Sequence, residues 1–310
     1  MERSEIIAWL LEGDVAIQYQ TRRDLLKEDP DALSPLKARI ATEGWGRAFL
    51  DRQHPDGHWG RAFYQPKWTS THYTMLDLRN LCIPATPEIQ KALGIIIATC
   101  KGPDGGINPS KEIKQSDVCI NGMFLNYASY FGIAEADIVS VVDFLISQQL
   151  PDGGFNCRLN RSGARHSSMH STISTLEGIR SYAEAGYRYR KTELLEIERD
   201  AQAFLLEHRL YKSDHTGETI HPGMMKLVYP PRWRYDILRA LDYFYSAGFP
   251  YDERLQDALD LIKEKRLPDG RWKNQAHHPG EVHFEMDPAG FASRWNTLRC
   301  TRILEFYDQL

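Results

Sequence analysis

Pro151-Asp152-Gly153-Gly154-Phe155 ends an apolar helical run, and the same kind of turn recurs as Pro55-Asp56-Gly57-His58-Trp59, Pro103-Asp104-Gly105-Gly106-Ile107 and Pro268-Asp269-Gly270-Arg271-Trp272. Proline stops the incoming helix, aspartate can bond nearby backbone N–H groups, and glycine supplies a positive φ without steric cost. An aromatic or aliphatic residue then plugs each turn into the body. Recurrence at intervals of roughly fifty residues marks a repeat architecture in which each unit needs its neighbours to bury its apolar face.

Between the turns, apolar residues recur three and four apart and strand-like alternation is nowhere sustained, so the pattern is helical. Six segments share a polar or aromatic start and an apolar stripe: Ala16 to Leu26, Trp68 to Leu81, Asp117 to Phe131, Ser168 to Ala183, Trp233 to Tyr245 and Arg294 to Phe306. The middle ones are followed by a second helix with one apolar stripe and one charged face, at Pro87 to Cys100, Glu135 to Gln149, Glu193 to His208 and Glu253 to Lys265. A helix of that kind belongs on an outside, and the less charged first helices belong inside. The pattern predicts an all-α (α/α)6 toroid of six helical hairpins, a single domain spanning residues 1–310. An open solenoid would require polar capping repeats, which the sequence does not show.

Lysine and arginine number 38 against 42 aspartates and glutamates, a net charge of −4, so no global positive field gathers nucleic acid or an anionic membrane. The stretch Met1 to Leu11 has early acidic residues and a short apolar run, which fits neither a signal peptide nor a membrane anchor. Five cysteines without a CxxC pair suit a reducing compartment. The expectation is a cytoplasmic protein with no transmembrane segment and no nucleic-acid partner.

In such a toroid the inner-helix N-termini gather at one end, where their free N–H groups favour anions. Aligning the inner segments by their stripes puts Tyr19, His72, Cys119, His170, Tyr235 and Trp295 at one level. Asp117 and Cys119 open the third inner segment and His170 opens the fourth. A carboxylate, a thiolate and an imidazole from adjacent helices make a zinc set with one position left for water or substrate. A cysteine at a helix start is equally an ordinary core residue, and an aspartate there an N-cap.

On these residues the chain resembles the terpenoid cyclase and protein prenyltransferase superfamily of α/α toroids, whose hairpins carry related Gly-Gly-aromatic turns. Asp117-Val118-Cys119, the turn at Pro151 and then His170-Ser171-Thr172 are similar, in order, to the zinc-site pattern of prenyltransferase β subunits. The resemblance implies a zinc ion held by Asp117, Cys119 and His170, and Lys111 and Lys114 as contacts for an isoprenoid diphosphate. His72 would take the place of a family histidine whose own position here is Ser70. Where the family places a tyrosine after the zinc cysteine this chain has Ile120, and the cyclase Asp-x-Asp-Asp run is absent. The chain supplies no α subunit.

The function expected on this reading is a prenyltransferase-like or terpene cyclase-like transferase acting on an isoprenoid or other hydrophobic substrate. Zinc would activate a thiolate nucleophile, and Trp68, Tyr73, Met123, Tyr235 and Trp295 would line the cavity. Asp236, at the start of the fifth inner segment, is a candidate further ligand or general base. The loop His277-His278-Pro279-Gly280-Glu281-Val282-His283-Phe284-Glu285 is rich in metal-ligand types and is either a lid or a polar connector. Two other readings stand beside this one: a carbohydrate-active (α/α)6 hydrolase or lyase, and a binding toroid without catalysis.

Overall fold

The computed structural model describes residues 2–110, 112–157 and 163–310. Its repeated turns behave as their chemistry requires, with Gly57, Gly105, Gly153 and Gly270 at φ of +104°, +85°, +88° and +85°. The residue that plugs each turn has its backbone N–H captured by a polar side chain of the next inner helix. Trp59 donates to Thr71 Oγ1 at 2.9 Å, Ile107 to Asn121 Oδ1 at 2.6 Å, Phe155 to Thr172 Oγ1 at 3.0 Å and Trp272 to Thr297 Oγ1 at 3.0 Å. In two turns the aspartate holds the serine ahead of the next inner helix: Asp104 accepts from Ser116 N at 2.7 Å, and Asp152 from Ser167 N at 2.8 Å. These bonds fix the angle between one hairpin and the next, so the turn sets both the repeat and its register.

Thirteen α-helices lie among the described residues. Six form the inner ring: α2 (Val15–Asp24), α5 (Thr71–Asn80), α7 (Val118–Tyr130), α9 (Met169–Glu184), α11 (Ile237–Ser246) and α13 (Arg294–Phe306). Outside them lie α1 (Arg3–Leu11), α3 (Pro30–Arg39), α4 (Gly44–Leu50), α6 (Pro87–Thr99), α8 (Glu135–Ser147), α10 (Lys191–Glu207) and α12 (Gln256–Glu264). The outer helix α6 shows the logic: Thr86 caps it, Pro87 opens it, and Ile89, Ala92, Leu93 and Ile96 form its buried stripe. Inner helices are buried nearly all round, as in α7, where eleven of thirteen residues are buried.

Neighbouring inner helices approach closely where glycine allows it. A Cβ at Gly122 of α7 would lie 2.5 Å from the Ser174 carbonyl oxygen of α9, and one at Gly178 would lie 2.4 Å from the Gly122 carbonyl oxygen. The ring closes through charge. Arg302 of α13 bonds Asp24 of α2 at 2.5 Å and Asp242 of α11 at 2.5 Å, joining the last inner helix to the first. On the outer side α1 serves as the missing partner of α13, with Arg3 paired to Glu305 at 2.6 Å and Arg294 Nε donating to the Trp9 carbonyl. The architecture is an all-α toroid.

Two details differ from the sequence expectation. Trp68 and Trp233 precede their inner helices rather than opening them, because α5 begins at Thr71 and α11 at Ile237, where Asp236 accepts from Arg239 N at 2.8 Å as the cap. A short two-stranded ribbon, β1 (Trp272–Lys273) with β2 (Ala292–Ser293), ties the base of the segment between them to the start of α13.

Candidate functional site

All six inner helices contribute to one central cavity of about 370 Å³. Its walls come mostly from their C-terminal halves: Gln20 and Arg23 of α2, Arg79 and Asn80 of α5, Asn126 and Tyr130 of α7, Glu177, Arg180 and Glu184 of α9, Asp242 and Tyr245 of α11, and Arg299 and Arg302 of α13. Arg239 of α11 joins them, and Tyr229, Pro231, Arg232 and Trp295 are also among the lining residues. Tyr229 and Trp295 stack with ring centroids 4.6 Å apart.

Seven arginines face three carboxylates in this lining, Glu177, Glu184 and Asp242. Just behind the wall, Asp24 pairs with Arg23 and Arg302, and Asp77 pairs with Arg232. Counting those two still leaves guanidinium groups in excess. Glu177 takes both oxygens to Arg239, at 2.7 and 2.6 Å. Burial opposes ionisation of Asp242, but Arg302 and Arg299 outweigh it and hold its carboxyl below the ordinary range. The reverse holds at Asp77, where burial outweighs Arg232 and pushes the carboxyl up to about 6.

Five polar atoms of lining residues have no partner within the protein among the described residues: Arg79 Nε, Arg299 Nη1, Trp295 Nε1, Tyr130 Oη and Asn126 Oδ1. Arg79 makes no ion pair among the described residues and lies over the Tyr130 ring, 5.7 Å from its centroid. Unpaired buried donors are costly unless a ligand or water meets them. The cavity therefore offers positive charge, hydrogen-bond donors and aromatic faces together.

At the other end of the ring the segment 277–287 packs across the approach to α5. Trp68 N donates to the Glu281 carbonyl at 2.6 Å, Glu281 N donates to the Lys67 carbonyl at 3.0 Å, Thr74 Oγ1 meets His283 Nε2 at 2.9 Å, and Phe284 packs on Phe49 with centroids 4.6 Å apart. Beneath it lies a second cavity of about 310 Å³, lined by Trp68, His278, Phe284 and Asp287. Tyr229 and Arg232 line both cavities and stand between them.

Several of the sequence-predicted residues fall around that end. Asp117 immediately precedes α7 and Cys119 sits in its first turn; the Cys119 thiol lies 3.4 Å from the thiol of Cys157, whose other neighbours are Asp117 and Ser171. His170 turns elsewhere: its Nδ1 accepts from Tyr235 N at 2.7 Å and its ring meets Trp233 edge-on at 5.1 Å. Burial, with Arg239 and Arg234 nearby, lowers its pKa to about 4. Among the described residues no group of three or more His, Cys, Asp and Glu side chains is arranged to hold a metal ion. The structure thus brings Asp117 and Cys119 together and leaves His170 apart.

Asp236 is a buried helix cap, and burial raises its carboxyl to about 6. Lys114 is exposed, and Lys111 lies outside the described residues. His72 is fully buried against Tyr127, which keeps it neutral, with a pKa lowered to about 3. Tyr73, Met123 and Tyr235 are buried core residues, Tyr73 meeting the Tyr64 hydroxyl and Tyr235 donating to the Leu210 carbonyl. Trp68 lines the second cavity through its contact with the 277–287 segment. Of the expected wall residues, Trp295 reaches the central cavity.

What the sequence reasoning missed is the arginine set. The signal was present as charged residues inside otherwise apolar inner segments, at Arg23, Arg79, Arg239, Arg299 and Arg302. A buried arginine on an inward face needs a partner, and several on adjacent helices converge.

No family model and no curated protein sequence matches this chain. Solved structures do. A glycosyl hydrolase family 88 protein from Bacteroides vulgatus aligns over 94% of this chain and 90% of its own, with 11% identity and a TM-score of 0.52. A polysaccharide lyase aligns over 93% and 87%, with 12% identity and a TM-score of 0.48. The type II terpene cyclase MstE from Scytonema, as a single-residue variant in complex with geranylgeranyl dihydroxybenzoate, aligns over 88% and 97%, with 10% identity and a TM-score of 0.36. No helix among the described residues is long and apolar enough to cross a membrane. At these identities the likeness to the hydrolase is one of fold, the α/α toroid.

Proposed function

We propose that this chain is a carbohydrate-active toroid whose central cavity takes an acidic saccharide. The observation that carries the reading is the excess of arginine over carboxylate in a cavity that also presents aromatic faces. A hydrocarbon tail there would strip water from guanidinium groups and offer nothing in return. A sugar carboxylate would satisfy the donors of Arg79 and Arg299, while ring faces stack on Tyr130 or on the Tyr229–Trp295 pair.

Cleavage of a glycosidic bond by hydrolysis uses two carboxyl groups flanking it. Glu177, Glu184 and Asp242 are the carboxyls of the wall. Asp242, kept ionised by Arg302 and Arg299, is a weak base and suits an electrostatic stabiliser. Elimination would instead draw on arginine neutralising the uronate carboxylate. Product analysis separates these reactions, since hydrolysis adds water and elimination leaves an unsaturated sugar.

The test is calorimetric titration of the full chain with oligomers of a uronic acid and with their carboxyl-reduced, neutral counterparts. Acidic oligomers should bind, neutral ones should bind at least about tenfold more weakly, and Arg79→Met should lose about tenfold or more, as one charge-assisted hydrogen bond warrants. Equal binding of acidic and neutral sugars, or binding indifferent to Arg79→Met, would overturn the proposal. So would binding of a farnesyl-type diphosphate in preference to either.

A further inference from the structure

The geometry points to Cys119 and Cys157 as a redox-active dithiol, a site of reversible disulfide formation by exchange with a small-molecule disulfide. Their sulfurs are 3.4 Å apart across 38 residues of sequence. A disulfide needs about 2.0 Å, so closure asks for a shift of little more than an ångström. Cys119 is carried by the first turn of α7, while Cys157 lies in the non-helical residues that follow the third turn. Both are partly exposed. The remaining cysteines have other company: Cys82 accepts from the Arg23 guanidinium, Cys100 meets the Thr99 hydroxyl, and Cys300 is buried in the core.

The chemistry balances without a cofactor. One thiolate of the pair attacks a sulfur of the small disulfide, forming a mixed disulfide and expelling one thiolate. The second protein thiolate then attacks the protein-bound sulfur, closing the Cys119–Cys157 bond and expelling the other. Two protein thiols are oxidised, one small disulfide is reduced, and the two protons leave on the two small thiols. The cross-link pins the stretch that leads out of the Pro151 turn to the start of α7. The site is separate from the arginine-lined cavity and does not depend on its ligand.

To test this, the reduced full chain is incubated with oxidised glutathione and a metal chelator, quenched with acid, and mapped by mass spectrometry without reduction. Free thiols should fall from five to three, with a cross-linked peptide pair containing Cys119 and Cys157 two hydrogens lighter than its parts and no glutathione retained there. Dithiothreitol should restore all five. In Cys119→Ser the remaining Cys157 should instead hold one glutathione, the trapped mixed disulfide, and in Cys157→Ser the same should be seen at Cys119. Glutathione retained on both cysteines of the parent protein, or no reaction at either, would overturn the proposal, and both outcomes are read on the parent chain whether or not the variants fold.

Discussion

Replacing Arg302 with methionine cuts the charge link between the last inner helix and the first while keeping much of the side-chain volume. The parent guanidinium, one-tenth exposed, lies between Asp24 on α2 and Asp242 on α11. Breaking a buried ion pair by removing one partner costs about 3–5 kcal/mol. Here each carboxylate keeps a second arginine, Asp24 its Arg23 and Asp242 its Arg299, so the cost belongs at the low end, about 3 kcal/mol. For 310 residues the unfolding entropy is about 0.65 kcal/mol/K, which turns that loss into a fall in Tm of about 5 °C. The pH dependence has a definite sign. Burial disfavours both carboxylates, but their arginines hold the pKa of each below the ordinary value, so their stabilisation is present above about pH 4 and lost as pH falls through the lowered pKa. Without Arg302 both groups protonate at higher pH, and the gap between parent and variant should narrow below about pH 4. Thermal melts followed by circular dichroism from pH 3 to pH 7 measure both quantities. A fall of less than about 1 °C at pH 7, or one that grows on acidification, would refute the assignment of this residue as the electrostatic clasp of the ring.

Asp236→Asn keeps an oxygen to cap α11 but removes a buried carboxyl whose pKa is raised to about 6, so the stability this group loses as pH rises from 4 through 6 is lost in the parent and not in the variant. Chemical denaturation should show the variant gaining about 2.5 kcal/mol relative to the parent between pH 4 and pH 7, and a constant difference would count against a buried carboxyl. Gly122→Ala adds a methyl 2.5 Å from the Ser174 carbonyl oxygen, and the resulting strain should cost about 2 kcal/mol in urea unfolding despite alanine's better helix propensity. A stabilised Ala variant would show that α7 and α9 can separate freely. Thr172→Val leaves the buried N–H of Phe155 without its acceptor and should cost about 1–3 kcal/mol by the same measurement, whereas no loss would mean the turn is held by its glycines alone.

The fold was legible because its punctuation is local. Each Pro-Asp-Gly turn combines a helix stop, a positive φ and a plug residue within five positions, and the periodicity on either side separates inner from outer helices. The outer layer after α2 was less legible: α3 and α4 replace the one helix the repeat would place there, and Pro35 lies inside α3. The connection from α10 to α11 carries no Pro-Asp-Gly turn and so gave no register. The central cavity was the least legible part, since its walls are mostly the C-terminal halves of the inner helices. Helix dipoles direct attention to N-termini, and the sequence does place Asp117, Cys119 and His170 there. Where a connecting segment lies across the ring depends on long-range packing, here the bonds of 277–287 to Lys67, Trp68 and Thr74, and no local pattern encodes those.

The arginines of the cavity divide into two groups with different work. Inner-helix C-termini converge on its walls, and their partial negative charge favours cations nearby. That effect and the carboxylates account for Arg23, Arg180, Arg232, Arg239 and Arg302, each of which has an acidic partner. Arg79 has none among the described residues, and Arg299 leaves one nitrogen unpaired beyond its bond to Asp242. Were neutralisation of the helix ends the whole purpose, these two would have been the easiest to supply with partners, since Asn126 and Tyr130 line the same wall with unpaired polar atoms of their own. On the proposed function, a ligand carrying both an anion and hydroxyl groups would meet these unpaired atoms better than an isolated anion. Arg79 is therefore the residue whose removal separates a recognition role from a structural one: it joins no ion pair among the described residues, so its loss should weaken ligand binding far more than it weakens the fold.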